Sequence, residues 1–235
     1  MATLVTHCWN ESALIKLWLD HHLAIFDRVI VIDFASDDGT REILKDHDVE
    51  VIESPLVDFQ ARPLDQLVEQ IEATIEGPRI TLNITEFLLG DPNVDRELFV
   101  PSVSLVNMES DPTFHWSVQF FRQRNYGISF ERDFMRRRSR RLSLESKPYP
   151  LGRHFHQIDR GDLLIVHVAQ CYIDQRMIDR RLAIQHRIPN SDKEQMLGFQ
   201  HHNMNRGLTL EDVLEEQRRD RMAAQDLSDY LRPYL

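Results

Sequence analysis

Three short polar stretches in the first ninety residues hold the groups that ligand chemistry would need. Cys8-Trp9-Asn10-Glu11 follows a β-prone run from Thr3. Asp33-Phe34-Ala35-Ser36-Asp37-Asp38-Gly39-Thr40 closes the run that starts at Arg28. Asn83-Ile84-Thr85-Glu86-Phe87 closes the one that starts at Arg79. Glu11, Asp33 and Glu86 are carboxylates set directly after apolar runs, positions where a side chain can accept hydrogen bonds from bound N–H and O–H groups. Positive charge is concentrated elsewhere. Residues 122 to 160 contain eleven Arg or Lys against four acids, about +7, with Arg136, Arg137, Arg138, Arg140 and Arg141 at the centre. Arginine matches phosphate oxygens in bidentate fashion. The plain alternative for such a run is a solvated loop, and for Asp38-Gly39 it is a turn with Thr40 capping the next helix.

The elements that must position these groups alternate between strand and helix. Thr3 to Cys8, Arg28 to Asp33 (RVIVID), Val49 to Glu53 and Arg79 to Ile84 read as strands, the second nearly continuous in β-branched residues as a strand covered on both faces should be. Between them, Leu14, Leu17, Trp18, His21 and Ile25 fall at helical spacing after Asn10 and Ser12, Thr40 to Asp46 forms a short helix, and Pro63 opens a helix with the stripe Leu64, Leu67, Val68, Ile71 and Ile75. Gly77 and Pro78 end it. A βαβαβαβ order implies a parallel sheet with helices on its faces, and ligands in such sheets bind at the carboxyl ends of the strands. The three polar stretches should therefore share one edge. Past a turn at Gly90 to Asn93, Val103 to Val106 and His115 to Phe121 read as strands, the latter as an antiparallel or edge addition. Leu163 to Val168 is one more buried strand, Ile173 to Gln185 a helix, and Thr209 with Asp212 a capping box for a last helix to about Leu231. A single three-layer α/β/α domain is expected, with a C-terminal helix over 208–235.

Composition narrows the classes. The chain has 235 residues, 28 basic against 38 acidic, a net charge of −10, and only two cysteines. A broad duplex-DNA-binding face would favour a basic chain. Two cysteines make neither a disulfide framework nor a CxxC zinc site, and Cys8 reads as a small buried side chain. No basic-then-apolar leader and no run near 18 apolar residues occur, so a cytoplasmic protein without a transmembrane segment is expected.

The stretch from Trp9 to Glu53 resembles the start of family 2-like glycosyltransferases of the GT-A fold. The matching motifs are Asn10-Glu11, Trp18-Leu19-Asp20-His21-His22, and Asp33 through Ser36 to Asp38-Gly39-Thr40. Gly152-Arg153-His154 and the strand ending Val166-His167 look like the family's second half, so the likeness runs over roughly residues 3 to 187. It implies a nucleoside-diphosphate sugar as donor and a glycan or other hydroxyl as acceptor, with a nucleotide-binding half over about 1–90 and an acceptor half over about 91–207. It also implies a nucleotide-sugar edge made by Glu11, Asp33, Ser36, Asp38, Asn83 and Thr85. Glu11 and Asp33 would accept from a uracil N–H or ribose hydroxyls. Glu86 and Asp91, both after the fourth strand, are candidates for the base that takes the acceptor proton.

One motif departs from the family. Where it has Asp-x-Asp-Glu-Phe, this chain has Asn83-Ile84-Thr85-Glu86-Phe87. The family's two carboxylates help hold Mn²⁺ or Mg²⁺ against the diphosphate. With Asn and Thr there, Thr85 and His154 are the remaining candidate ligands and metal dependence is expected to be weak. Arginine should replace the ion: Arg138, Arg140 and Arg153 are the expected diphosphate contacts, with the rest of the island in solvent. His154 and His167 are further candidates for acceptor contact. His21 and His22 read as helix packing, and His201-His202 has no recognisable partner spacing. Two other classes compete. One is a catalytically silent GT-A-like domain that binds a nucleotide, glycan or partner protein. The other is RNA binding through the arginine island, which has only Phe134 and Tyr149 nearby to stack bases.

Overall fold

The computed structural model describes residues 1–129, 139–198 and 207–234. Four strands form a wholly parallel sheet in the order β3-β2-β1-β4: β1 Thr3–Cys8, β2 Arg28–Asp33, β3 Glu50–Glu53 and β4 Arg79–Thr81. Successive side chains on these strands point to opposite faces, and the register Leu4↔Val29, Val5↔Ile30 aligns equivalent faces. Leu4, Val29 and Val31 pack with Leu14, Ile15 and Trp18, at and within helix α1 (Ile15–His22), and with Leu44 of α2 (Thr40–Lys45). Val5, Ile30 and Ile32 pack with Leu64 and Val68 of α3 (Ala61–Glu72) on the other face. Helices thus cover both faces, a Rossmann-like α/β/α arrangement.

His21 and His22 do pack, as their place in α1 implies. The ring of His22 is fully buried, meets the Trp18 carbonyl at 2.9 Å through Nδ1, and accepts from the Leu88 N–H at 3.2 Å through Nε2. Burial holds its pKa well below the usual value, so the ring is neutral and can accept.

The second half builds a mixed sheet from β5 (Glu86–Leu89), β6 (Leu98–Leu105), β7 (Tyr126–Ile128), β9 (Leu164–His167) and β10 (Gln225–Asp226), in the order β10-β7-β6-β9-β5. Strand β8 (Ser139–Leu142) pairs antiparallel with β6, and a bridge from Arg79 to Ser143 ties it to β4. These pairings set directions. β6 and β9 run with the parallel sheet, whereas β5 runs against β9. Glu86 therefore lies at the carboxyl edge of the parallel strands, opposite His167, and Leu89 at the far edge.

Two expected elements differ. His115 to Phe121 is not a strand. The Gln123 side chain bonds the N–H and carbonyl of His115 and the carbonyl of Val118, coiling the segment ahead of a 3-10 turn at Phe120–Arg122, and Trp116 and Val118 are exposed. The last helix is also interrupted. Thr209 and Asp212 form the expected capping box for α6 (Leu210–Ala223), but the chain then extends through β10 before α7 (Ser228–Leu231), which buries Leu231. Between β9 and α6 lie α4 (Gln175–Ile184), capped by Asp174, and α5 (Asn190–Glu194). Among the described residues no helix is long and apolar enough to cross a membrane.

Candidate functional site

The carboxyl edge of β1 and β2 is formed by two loops that hold each other. Asn10 and Asp37 bond reciprocally, through Asn10 Nδ2 to Asp37 Oδ1 at 2.8 Å and Asp37 N to Asn10 Oδ1 at 2.9 Å. The N–H groups of Asn10, Glu11 and Ser12 donate to Ser36 Oγ, Thr40 Oγ1 and Asp38 Oδ2 at 3.0, 2.8 and 3.0 Å. Asp38 also accepts from the N–H and hydroxyl of Thr40 at 3.1 and 2.6 Å. The helix cap at Gly39 is therefore supplied by Asp38, and Thr40 serves the other loop. Burial opposes ionisation of Asp38, but the bonds from Thr40 and Ser12 prevail and lower its pKa. Ser36 and Asp38, expected to touch the nucleoside, tie the two loops together.

Backbone strain gathers here as well. Four non-glycine residues of the described chain have positive φ, and Asn10, Ala35 and Arg153 are three of them, at 53°, 56° and 58°. Ala and Arg gain nothing locally from that conformation, and such outliers concentrate where a site over-determines the backbone.

Asp33 ends β2 only 1% exposed. Its Oδ2 takes the Arg41 Nε–H at 2.7 Å, and both oxygens take the Ser36 N–H at 3.3 Å. Cys8, buried as expected, points its thiol at Oδ1 from 3.6 Å, and burial with the Asp33 charge pushes that thiol well up. Glu11 is likewise buried, with Oε1 2.6 Å from Arg180 Nη2. Desolvation outweighs that contact, and the Asp38 charge adds to it, so the Glu11 pKa rises to about 7.

Farther along the edge, Glu86 is clamped. Arg140 Nε lies 3.0 Å from both its oxygens, Arg140 Nη2 lies 2.9 Å from Oε1, and the Asn83 N–H donates to Oε2 at 2.8 Å. Desolvation opposes the charge, yet Arg140, His167 and Asn83 overcome it and the pKa falls. Arg140 Nη1 turns to the Arg153 carbonyl at 3.0 Å. Arg153 in turn holds Asp65 of α3 at 2.5 Å and reaches His7 Nδ1 at 3.4 Å. His167 pairs in register with Glu86 and is half-buried, Thr85 accepts from the Val168 N–H at 2.8 Å through its carbonyl, and His154 is half-buried in the loop after Arg153.

Several expectations change on this geometry. Asp91 follows the reversed strand β5, so it lies at the opposite edge from Asp33; there it accepts from the N–H and side chain of Asn93 and lines a separate cavity of about 250 Å³ with Arg96, Asp159 and Asp162. It is not a base for this edge. Glu86 is an ion-pair partner of low pKa, the reverse of a poised base. Arg136, Arg137 and Arg138 lie outside the described residues, as do Phe134, His201 and His202. Arg140 and Arg153 do reach the edge, but as buried partners of Glu86 and Asp65. Arg141 is buried too, 4.6 Å from the Tyr149 ring centroid rather than in solvent. Among the described residues no group of three or more His, Cys, Asp or Glu side chains is arranged to hold a metal.

The residues that complete the edge from outside the three loops are Arg41, Asp65, Arg180 and Arg187. Local patterning carries no sign of them: Arg180 comes from α4 and Arg187 from the 3-10 turn that follows it. Neither a family model nor a curated protein sequence matches the chain, so what this edge can do rests on its own residues.

Proposed function

We propose that the chain is a glycosyltransferase of the family 2-like kind with a GT-A fold, transferring a sugar from a nucleoside diphosphate to an acceptor hydroxyl. One observation carries this reading. The strand order β3-β2-β1-β4, with β5 reversed, collects Glu11, Asp33, Asn83, Thr85, Glu86, Arg140, Arg153 and His167 along a single edge. On this reading the nucleoside lies against Glu11 and Asp33, and Asn83 and Thr85 give neutral contacts to the sugar diphosphate. The divalent ion implied by the family does not fit: neutral Asn83 and Thr85 stand where the family has two acids, and Glu86 is already taken by Arg140. Neutralising the leaving diphosphate then falls to arginine: Arg140 and Arg153 stand at this edge with their charges shared with Glu86 and Asp65, and Arg138 precedes β8 in sequence. On this reading the acceptor proton goes to His167, the imidazole paired in register opposite Glu86.

A catalytically silent nucleotide-, glycan- or partner-binding domain is the second reading. It is favoured by the engagement of Glu11, Asp33 and Glu86, each in an arginine pair. Calorimetric titration with UDP, CDP, ADP and GDP, in EDTA and in Mn²⁺, tests the shared premise. Binding that is indifferent to Mn²⁺ and lost in Asp33→Ala supports it, and no binding of any diphosphate removes it. Release of diphosphate from the corresponding sugars, abolished in His167→Ala, separates transferase from silent domain.

A further inference from the structure

A cation of the chain itself occupies a planar-group position at this edge. The rings of Trp9 and Phe59 meet at 64° with centroids 6.3 Å apart, and Phe59 stacks on Phe34 at 4.6 Å. Into the corner between Trp9 and Phe59 comes the Arg187 guanidinium, its carbon 5.0 Å from the Trp9 centroid and 5.7 Å from that of Phe59. Its Nη2 donates to the carbonyl of Phe34 at 3.2 Å and to that of Val57. The buried Nε–H has no hydrogen-bond partner among the described residues, so the guanidinium is incompletely matched to its place. The segment that delivers it crosses the edge as a strap. Arg180 bonds Glu11 and the Trp9 carbonyl, the Arg187 carbonyl accepts from the Phe59 N–H, and Asp192 accepts from the Ala61 N–H.

A guanidinium that lies on aromatic rings and donates N–H groups to two main-chain carbonyls has the chemistry of a nucleobase edge: planar, delocalised, stacked and donor-bearing. The carbonyl it takes at Phe34 belongs to the residue after Asp33. We infer that the Trp9–Phe59 corner is a nucleobase subsite and that Arg187 is its internal occupant, displaced when a nucleotide enters. The inference rests on the nucleotide reading above and adds the place of the base and the device that guards it. Two occupants of one corner compete. Affinity for a base is reduced by the fraction of molecules whose corner is empty, and removing the occupant restores it.

The experiment is calorimetric titration of wild type, Arg187→Ala, Arg187→Lys and the double variant Arg187→Ala/Trp9→Ala with free nucleosides and with their diphosphates. Removing the guanidinium is expected to tighten both ligand sets by about tenfold. Lysine keeps the charge but not the plane, so it should also tighten them, and loss of Trp9 should abolish the gain. Circular dichroism checks that each variant folds; if alanine does not fold, lysine decides alone. Unchanged or weaker binding in the folded Arg187 variants overturns the inference. Diphosphates that bind wild type and need Asp33, with no gain on losing Arg187, leave the nucleotide reading standing while the corner falls. If no protein binds any of these ligands, both fall together.

Discussion

Two buried carboxylates, each paired with an arginine, stand on the same sheet edge and move in opposite directions. Glu86 with Arg140 is pulled below the usual carboxylate range, while Glu11 with Arg180 is pushed up to about 7. Both acids are desolvated, so burial alone does not separate them. The donors do. Both Glu86 oxygens face Arg140, Asn83 adds a main-chain N–H, and His167 is alongside. Among the described residues Glu11 has one cationic contact, to one oxygen, and Asp38 adds a like charge nearby. Fixed donors in sufficient number make a buried charge tolerable; a single partner does not. The second-half end of the edge is therefore a rigid ionic fixture, and the first-strand end is poised to change protonation near neutrality.

The sharpest way to break this contrast is to remove Arg140. Arg140→Met leaves Glu86 charged, buried and short of donors, and loss of one partner of a buried pair costs roughly 3–5 kcal/mol. Urea denaturation at pH 7 should show a large fall in midpoint, and a fall of under about 1 kcal/mol would mean that water reaches Glu86.

Next in size is the pH response of Glu11. Its folded pKa lies above its ordinary value, so its contribution to stability is fully present below about 4.5 and is lost as pH rises through about 7. A rise of that extent corresponds to about 3 kcal/mol. Glu86 has the opposite sign: its contribution is present above its ordinary value and is lost as acid passes through the lowered one. Glu11→Gln should therefore flatten stability between pH 5 and 8 and become more stable than wild type at the upper end. A variant that is less stable than wild type at pH 8 and keeps the wild-type slope would reject the raised pKa.

Arg180→Ala sharpens the same point with a smaller effect. At pH 8 it removes the cationic donor to an ionised Glu11 and should cost about 1.5 kcal/mol, the low end for a hydrogen bond to a charged group because Arg180 is only half-buried. At pH 5.5 Glu11 is protonated and the loss should shrink to what the Arg180 bond to the Trp9 carbonyl contributes. Equal losses at both pH values, measured in the same denaturation series, would show that Arg180 acts only through packing and its bond to the Trp9 carbonyl.

These contrasts also mark what the chain's patterning discloses. β1 and β2 are legible because β-branched runs need no context, and Glu11 and Asp33 follow because a residue just past a buried parallel strand must stand at its carboxyl edge. The arginines that set their charge state are not legible: Arg41 is eight residues from Asp33, but Arg180 is supplied from α4, whose docking no local pattern specifies. Polar alternation misleads at His115 to Phe121 because the Gln123 side chain competes for the main-chain groups a sheet would use. Most of the arginine island reads as solvated because charge runs usually are. On β8, however, alternate faces bury Arg140 against Glu86 and Arg141 against Tyr149, where each finds a partner.

The smallest effect belongs to Asp91, and it tests the direction of a strand. In sequence Asp91 follows Glu86 by five residues, and a reading that ignores direction puts both acids at one site. The register Glu86↔His167 to Leu89↔Leu164 runs β5 backward against β9, carrying the chain across the sheet before Asp91 is reached. Asp91 then bonds its neighbour Asn93 and lines the far cavity with Arg96. Asp91→Asn keeps the turn's acceptor and removes the charge. It should leave nucleotide titrations, their pH dependence and any sugar transfer unchanged, whereas the same change at Asp33 should abolish binding. If Asp91→Asn alters the affinity for a nucleoside diphosphate, β5 does not run as described, and the separation of the two edges goes with it.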